Sequence, residues 1–292
     1  MSVVIEIIQV IKLLYYFIFL PEKKFAPFPY LNKYNGKKAM VFGNGPSVKK
    51  LFEDYKNGDA EIINDSFFVN YAPLDPLFYE IKPKHFFLSD YVFSRDTHDN
   101  RTAMTRRMYD DLEQKVDWDL SIYLCFPRKK DGEELISFSR IKNPKIHFVF
   151  LNRKHCSGLA PSWRHYLYKK GYFMPEEGTV VNTAIYVALI EGYKEIELYG
   201  VEHSMFLNLR LNENHKLCIL QKNFYDKEEK LVPVTNDDSF EQAKIHNYMN
   251  FICVMFNSHY LLRQFADYLG ARIINCTPAS MIDVYEFKNT DK

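Results

Sequence analysis

A glutamate followed by a histidine, Glu202-His203, is the pair in this chain best suited to acid–base chemistry. The pair follows a short apolar run, 196–199, which has the length of a buried strand. An imidazole beside a carboxylate can act as a general base near neutral pH. A loop histidine without a role is the alternative. His246 is a second candidate base, although a histidine on a helix surface is the more common case. The hydroxyl of Tyr225, in a polar segment, is a candidate to bind a phosphate.

A glycine-rich turn, Gly43-Asn44-Gly45-Pro46-Ser47, lies between a predicted strand at 38–42 and a predicted helix at 47–55. Its glycines permit positive φ and close approach of a ligand to the backbone. The free N–H groups of the following helix suit a phosphate, and the Asn44 amide can donate and accept. The third glycine of the dinucleotide fingerprint is replaced by Val48, and no P-loop lysine follows, which argues against NAD and ATP. A tight turn without a ligand is the alternative.

Polar residues end two further predicted strands. Asn64 ends an apolar run at 61–64, and Ser89 and Asp90 follow another at 85–88. Because the carboxyl ends of parallel strands meet at one edge of a sheet, we expect these side chains near the glycine turn, around a nucleotide. The alternative for each residue is a helix cap or a turn.

An aspartate pair, Asp117-Trp118-Asp119, has the spacing that holds Mg²⁺ or Mn²⁺ in some enzymes. It precedes a predicted strand, whereas such metal pairs more often follow one. We therefore expect no metal cofactor. The chain has 292 residues and a net charge of +1, with no basic stripe, so a nucleic-acid partner is not expected. Five widely spaced cysteines without a C-x-x-C motif favour a reduced, cytosolic compartment.

The segment 3–20 is almost wholly apolar, and a proline follows it at position 21. Glu6, Gln9 and Lys12 recur every three residues, so they share one side of a helix. Without a basic start and a cleavage site, it is not a typical signal peptide. Three interpretations of residues 1–24 stay open: a helix lying in the inner-membrane surface, a helix buried against the body or a second subunit, and a transmembrane helix.

Short apolar strands alternate with helices along the chain, which predicts an α/β fold. The strands are expected at 38–42, 61–64, 85–88, 120–126, 146–151, 196–199 and 272–275. The helix at 179–191 has one apolar face, and a long helical stretch at 240–269 is a candidate for a break near 257–258. We expect a Rossmann-like, mostly parallel sheet with helices on both faces, as one domain at 37–285 with an inserted lid at about 205–238.

Several of these segments together resemble a known family. The glycine turn, Asn64 in its Ile-Ile-Asn-Asp-Ser-Phe-Phe context, and the segments 192–201 and 272–282 resemble the small bacterial sialyltransferases that act on lipooligosaccharides. The segment 178–184, Gly-Thr-Val-Val-Asn-Thr-Ala, resembles the related flagellin-modifying nonulosonate transferases and hydroxymethylpterin pyrophosphokinase-like proteins. The resemblance covers roughly residues 37–90 and 176–285.

The resemblance implies an inverting, metal-independent glycosyltransferase with a CMP-linked nonulosonic acid as donor and a cell-surface glycan as acceptor. It implies that Asn44 and Gly45 contact the donor phosphate and ribose. Asn64 would bind the cytidine or the sugar. Thr179 and its neighbours, Asn182 among them, would bind the donor carboxylate or the base. Ser280 would begin a second helix near the nucleotide.

The chain departs from that family where the family carries its catalytic groups. Aligning the last strand places no histidine in the loop before the last helix, and Gly200-Val201-Glu202-His203-Ser204 replaces the family's Gly-Ile-Asp-Phe-Tyr. The sugar therefore need not be a nonulosonic acid. Three hypotheses follow: a cytoplasmic glycosyltransferase peripheral to the inner membrane, a pyrophosphokinase-like enzyme that binds a pterin and ATP, and a nucleotide-binding module without catalysis.

Overall fold

The structure, a computed structural model, describes residues 28–90, 100–125, 140–156, 159–221, 230–235 and 241–288, with isolated positions outside these ranges. In chain order its elements are β1 (Lys38–Phe42), α1 (Val48–Asn57), β2 (Ser66–Val69), α2 (Leu77–Ile81), β3 (His85–Leu88), α3 (Asn100–Lys115), β4 (Leu120–Leu124), β5 (Lys129–Lys130), β6 (Glu133–Glu134), β7 (Ile146–Phe150), α4 (Pro161–Lys169), α5 (Val180–Glu191), β8 (Glu195–Tyr199), β9 (Leu209–Leu211), β10 (Leu217–Gln221), β11 (Lys230–Pro233), α6 (Ile245–Leu269), β12 (Arg272–Asn275) and β13 (Glu286–Phe287).

The main sheet has eight strands in the order β13-β12-β8-β1-β2-β3-β4-β7, and neighbouring strands pair in parallel. Alternate residues of β1 serve the two faces: Ala39 and Val41 pack with α4, α5 and α6, whereas Met40 and Phe42 pack with α1, α2 and α3. The expected α/β fold with helices on both faces is confirmed. The chain runs outward from β1 to β7 and then returns to β8 on the other side of β1, so the strand order reverses there.

Helix α5 is buried on all sides, so the residues of its predicted apolar face are buried together with those of the opposite face. Each of its residues, including Asn182, Thr183 and Glu191, is buried. The reason is its position between the sheet and α6, which covers its outer side. Helix α6 continues through positions 257–258 without a break, and Ser258 is fully buried within it.

The second strand begins later than the sequence pattern predicts. It runs over Ser66–Val69, because Phe67 and Phe68 are both buried and fill the cores on opposite faces of the sheet. Asn64 therefore precedes the strand, and its carbonyl oxygen accepts a hydrogen bond of 2.9 Å from the N–H of Lys84. This places Asn64 at the amino edge of the sheet, opposite the glycine turn, and the prediction that it binds substrate there is wrong.

Three strands form a separate antiparallel sheet within the segment predicted to be a lid. β10 pairs with both β9 and β11. Leu217 and Ile219 of β10 join Tyr248, Ile252 and Met255 of α6 in a small apolar core of their own. The inserted sheet is thus anchored to the first half of α6.

Most of the segment predicted as an N-terminal apolar helix lies outside the described residues. The described positions in 1–27 have helical backbone and exposed side chains; they are Val4, Ile7, Ile8, Val10, Ile11 and Leu14. Among the helices of the described ranges, none is long and apolar enough to cross a membrane. All five cysteines fall within these ranges as free thiols.

A buried hydrogen-bond network ties the end of α5 to the sheet. The Tyr123 hydroxyl donates to a carboxylate oxygen of Glu191, and the His85 ring nitrogens lie 3.0 Å and 3.1 Å from the hydroxyls of Tyr123 and Tyr193. Burial raises the pKa of Glu191 to about 8 and lowers the pKa of His85 to about 3. Burial thus disfavours the charged form of both groups.

Candidate functional site

A cavity with polar residues in its lining lies where the strand order reverses, at the carboxyl ends of β1 and β8. Ligands of open α/β sheets bind at such a point. The cavity has a volume of about 380 Å³. It is lined by the glycine turn, the end of β2, the start of α5, the segment after β8 and strand β10: Gly43, Asn44, Gly45, Pro46, Val69, Asn70, Thr179, Val180, Val181, Gly200, Glu202, His203, Ser204, Met205, Asn208, Ile219 and Leu220.

The glycines of the turn are required by contact between two parts of the chain. The N–H of Gly43 donates to the carbonyl of Tyr199 (2.8 Å), and the N–H of Gly45 donates to the carbonyl of Gly200 (2.9 Å). A Cβ at Gly43 would lie 2.3 Å from the Gly200 oxygen. The close approach that the sequence attributes to a ligand is therefore made here by the loop after β8.

Replacing Gly43 by alanine is expected to lower the free energy of unfolding by about 1–3 kcal/mol, because the methyl group forces the two loops apart. Urea unfolding followed by circular dichroism measures the change. Gly58→Ala provides a control, since a Cβ there meets no atom within 4 Å, although its φ of +81° adds backbone strain. If Gly43→Ala unfolds at the same urea concentration as the wild type, the loops are not in contact as described.

Glu202 occupies the N-terminus of α1. Its Oε1 accepts a hydrogen bond of 2.8 Å from the N–H of Ser47, and its Oε2 is buried without a hydrogen-bond partner. A Cβ on Gly45 would lie only 1.4 Å from Oε2, so the carboxylate lies directly over that glycine. A negative charge is stabilised at a helix N-terminus. The position predicted for a donor phosphate is therefore filled by the protein's own carboxylate.

His203 borders the cavity in a constrained position. Its φ is +49°, in the left-handed region, and only 8% of its surface is exposed. Its Nε2 is buried without a hydrogen-bond partner. Burial lowers the pKa of His203 to about 4. The expectation of a pKa near neutral is thus wrong for the unliganded protein, in which the imidazole is uncharged and able to accept a proton.

A second histidine stands behind the first. The ring of His259, on α6, lies 5.0 Å from the ring of His203 between centroids. The Nδ1 of His259 is 2.9 Å from the hydroxyl of Tyr285, which also donates to the His259 carbonyl at 3.3 Å. Burial, and then the neighbouring His203, lower the pKa of His259. The side of His203 away from solvent thus faces an uncharged imidazole whose orientation Tyr285 fixes.

The N-terminus of α5 faces the same cavity. Asn182 turns its Oδ1 back to the N–H groups of Gly178 (3.2 Å) and Thr179 (3.0 Å), which completes a capping box. The N–H groups of Val180 and Val181, in the first turn, have no partner within the helix. Asn182 is not among the residues that line the cavity; it supports the turn that presents these donors.

Several lining residues were missed by reading the sequence. Asn70, with a φ of +55°, follows β2 and borders the cavity. Its type and position are those of a strand-end residue, and shifting β2 to its observed place would have identified it. Met205, Asn208 and Ile219 come from the short helical turn Met205–Asn208 and from β10, where no local pattern marks them.

Other predicted site residues lie elsewhere. Ser89 and Asp90 follow β3, two strands from β1, and do not line the cavity. No helix begins at Ser280; its hydroxyl donates to the carbonyl of Val201 (2.7 Å) and so holds the loops after β8 and β12 together. His246 is exposed near the start of α6, outside the cavity, and its prediction as a base is wrong. Tyr225 lies outside the described residues.

The aspartate pair before β4 lies at the amino edge of the sheet. Asp117 forms an ion pair with Lys82 at 2.8 Å, and Asp119 lies 3.5 Å from Lys145. Within the described ranges, no cluster of three or more His, Cys, Asp or Glu side chains has the arrangement of a metal site.

The cavity thus combines a buried imidazole, a free helix N-terminus, amide side chains and an apolar strand above them. Such a site can hold an anionic ligand with a polar body and can remove a proton from it or from a second substrate. Comparison of the chain with protein-family models, with curated proteins and with solved structures gives no match.

Proposed function

We propose that this protein is a glycosyltransferase that binds a sugar nucleotide in the cavity between β1 and β8. The observation that carries the proposal is the pairing of His203, buried with an unpartnered Nε2, with the free N-terminus of α5 in one cavity. One group is suited to take a proton from an acceptor hydroxyl and the other to stabilise a departing phosphate.

In the proposed complex the donor phosphate lies at α5, beside Thr179 and the N–H groups of Val180 and Val181. It does not lie at α1, because Glu202 already neutralises that helix end. The amides of Asn44 and Asn70 serve the sugar or the base. Ile219 and Leu220 of β10 cover the cavity and exclude water, which strengthens the interaction of the phosphate with the helix.

The proposed reaction inverts the anomeric carbon in one displacement. The acceptor oxygen forms a bond to the anomeric carbon while the bond from that carbon to the phosphate oxygen breaks. The hydroxyl proton passes to His203, and the nucleotide leaves with the electron pair at the N-terminus of α5. An anionic donor favours the protonated imidazole, so binding should raise the pKa of His203 from its value of about 4 in the free protein.

The resemblance to the sialyltransferases supports a CMP-linked donor, including nonulosonic acids, and an acceptor in a surface polysaccharide or lipooligosaccharide at the cytosolic face of the inner membrane.

A thermal-shift screen of CMP-, UDP-, GDP- and dTDP-sugars, with and without Mg²⁺, tests the donor class, because a ligand that binds only the native state raises the Tm. A CMP-sugar should raise the Tm without Mg²⁺. Stabilisation by ATP with a pterin alone would point to the pyrophosphokinase hypothesis. Donor binding without transfer to any glycan would point to a nucleotide-binding module.

Replacing Asn44 by alanine is expected to weaken donor binding by roughly two- to tenfold, since a hydrogen bond to an uncharged group of the sugar or base contributes about 0.5–1.5 kcal/mol. Titration calorimetry with the nucleotide sugar found by the screen measures the affinity. Asn250→Ala, at an exposed position of α6, is the matched control. Unchanged affinity in Asn44→Ala would remove the glycine turn from the donor site.

A further inference from the structure

The outer face of helix α4 is aromatic and basic. Its exposed residues recur at the spacing of one helix face: Ser162, Trp163, Tyr166, Lys169 and Lys170. Trp163 is 64% exposed and Tyr166 47% exposed. The opposite face, with Leu167 and Tyr168, is buried in the core. Helix α4 thus carries large aromatic rings on its solvent-exposed face as well as on its buried face.

The neighbouring helix extends this face. The ring of Tyr268 on α6 lies 5.1 Å from that of His165 on α4, yet Tyr268 is 49% exposed. Two turns earlier on the same side of α6, Tyr260 is 52% exposed. We call the four exposed rings and the two lysines the aromatic surface: Trp163, Tyr166, Tyr260, Tyr268, Lys169 and Lys170. Large rings exposed on two neighbouring helices mark a candidate interaction site.

Phe28, which follows the N-terminal segment in the sequence, lies beside the aromatic surface. Phe28 is buried against Gly171, where a Cβ would lie 2.8 Å from the Cβ of Phe28. Gly171 directly follows Lys170 at the end of α4. The apolar segment 3–20 and the lysines at positions 23 and 24 are therefore tethered to this corner of the molecule by a few residues.

We infer that the aromatic surface docks on an anionic lipid bilayer next to the apolar segment 3–20, so that the body itself contacts the membrane. Tryptophan and tyrosine are enriched at the membrane interface because one part of the ring system is apolar and another is polar. Lysines at the surface are attracted to anionic headgroups. The exposed acid nearby, Asp267, is already paired with Arg263 at 3.0 Å, so it opposes this attraction little. The inference does not depend on the proposed enzymatic activity.

The fluorescence of Trp163 can report contact of the aromatic surface with lipid, because the chain has only one other tryptophan to replace. The other, Trp118, donates from Nε1 to the carbonyl of Pro83 (2.7 Å), on the face of the sheet that carries α2. In Trp118→Phe, excitation at the long-wavelength edge, where the 21 tyrosines absorb little, therefore gives emission from Trp163 alone. Adding vesicles of phosphatidylglycerol and phosphatidylcholine should shift its emission to the blue, and brominated phosphatidylcholine should quench it. Vesicles of phosphatidylcholine alone should give a much weaker response.

Two double variants separate the surface from the apolar segment by vesicle sedimentation. Trp163→Ala with Tyr166→Ala, and Lys169→Glu with Lys170→Glu, should each weaken partitioning by about tenfold or more. Phe287→Ala, at an exposed ring on β13, should leave it unchanged. Sedimentation with an unshifted Trp163 emission would show that the segment 3–20 binds alone and would overturn the inference. So would the absence of binding, or a blue shift that depends on protein concentration without lipid, which would indicate a second copy as the occupant.

Discussion

The variant His203→Asn is expected to bind the donor nearly as well as the wild type and to lose turnover by about 10²- to 10⁴-fold, the usual contribution of a general base. His203 is among the residues that line the cavity and its Nε2 has no hydrogen-bond partner, whereas the donors proposed to bind the phosphate belong to the backbone of α5. Removing the imidazole should therefore affect proton transfer far more than binding. Initial rates at saturating donor and a direct binding titration separate the two.

Asparagine is the appropriate replacement because residue 203 has a φ of +49°, a left-handed conformation that asparagine adopts more readily than alanine does. His246→Asn, at the exposed histidine of α6, is the matched control and should retain its rate. In the wild type, kcat/KM should fall only as the pH drops towards 4, since it reports the free enzyme. The fall in kcat should occur at a higher pH, because the bound anion raises the pKa. A His203→Asn enzyme with the wild-type rate and pH profile would exclude His203 as the base.

Titration of Glu191 is expected to make the free energy of unfolding depend strongly on pH. Glu191 is buried in the folded protein, and this burial raises its pKa to about 8, compared with about 4.5 for an ordinary glutamate. Below pH 4.5 both the folded and the unfolded chain hold the proton, and its contribution to stability is fully present. As the pH rises from about 4.5 to 8, the unfolded chain releases the proton and the folded chain keeps it, so this stability is progressively lost.

Glu191→Gln removes that titration while it leaves an amide oxygen to accept the hydrogen bond from Tyr123. Between pH 4.5 and 8, the free energy of unfolding of the variant minus that of the wild type should therefore rise by about 1.4 kcal/mol per pH unit. His85 titrates in the same way in the unfolded chains of both proteins, so that contribution cancels in the difference.

Urea unfolding at pH 4, 6 and 8 measures this difference. Glu213→Gln, at an exposed position in the turn between β9 and β10, is the control and should track the wild type. A constant difference between Glu191→Gln and the wild type across this range would mean that Glu191 is ionised in the fold. In that case the network that joins α5 to the sheet would contain an ion pair with His85, whose Nδ1 lies 3.6 Å from the carboxylate.

The sequence alone determined the elements whose signals are local. The strands β1, β3 and β12 lie where short apolar runs between polar residues predict them, because a parallel strand buried on both faces is apolar throughout. The alternation of strands and helices predicted the fold class, and the glycine turn and Glu202-His203 were recognised by residue type. Both follow neighbouring strands, β1 and β8, and both line the cavity.

Only the tertiary structure shows how the strands, helix ends and site residues are arranged relative to one another. Two neighbouring apolar runs could have formed β2, and the strand contains Phe67 and Phe68 because these rings pack into the cores on both faces of the sheet. Asn64 therefore lies at the amino edge of the sheet, and Asn70 lies at the cavity. Glu202, 155 residues after Ser47 in the sequence, caps the N-terminus of α1 with its carboxylate. At the cavity this leaves the N-terminus of α5 to bind a ligand. His203 acquired its low pKa from burial beside α6. Each of these outcomes depends on contacts between distant segments, which neither composition nor periodicity records.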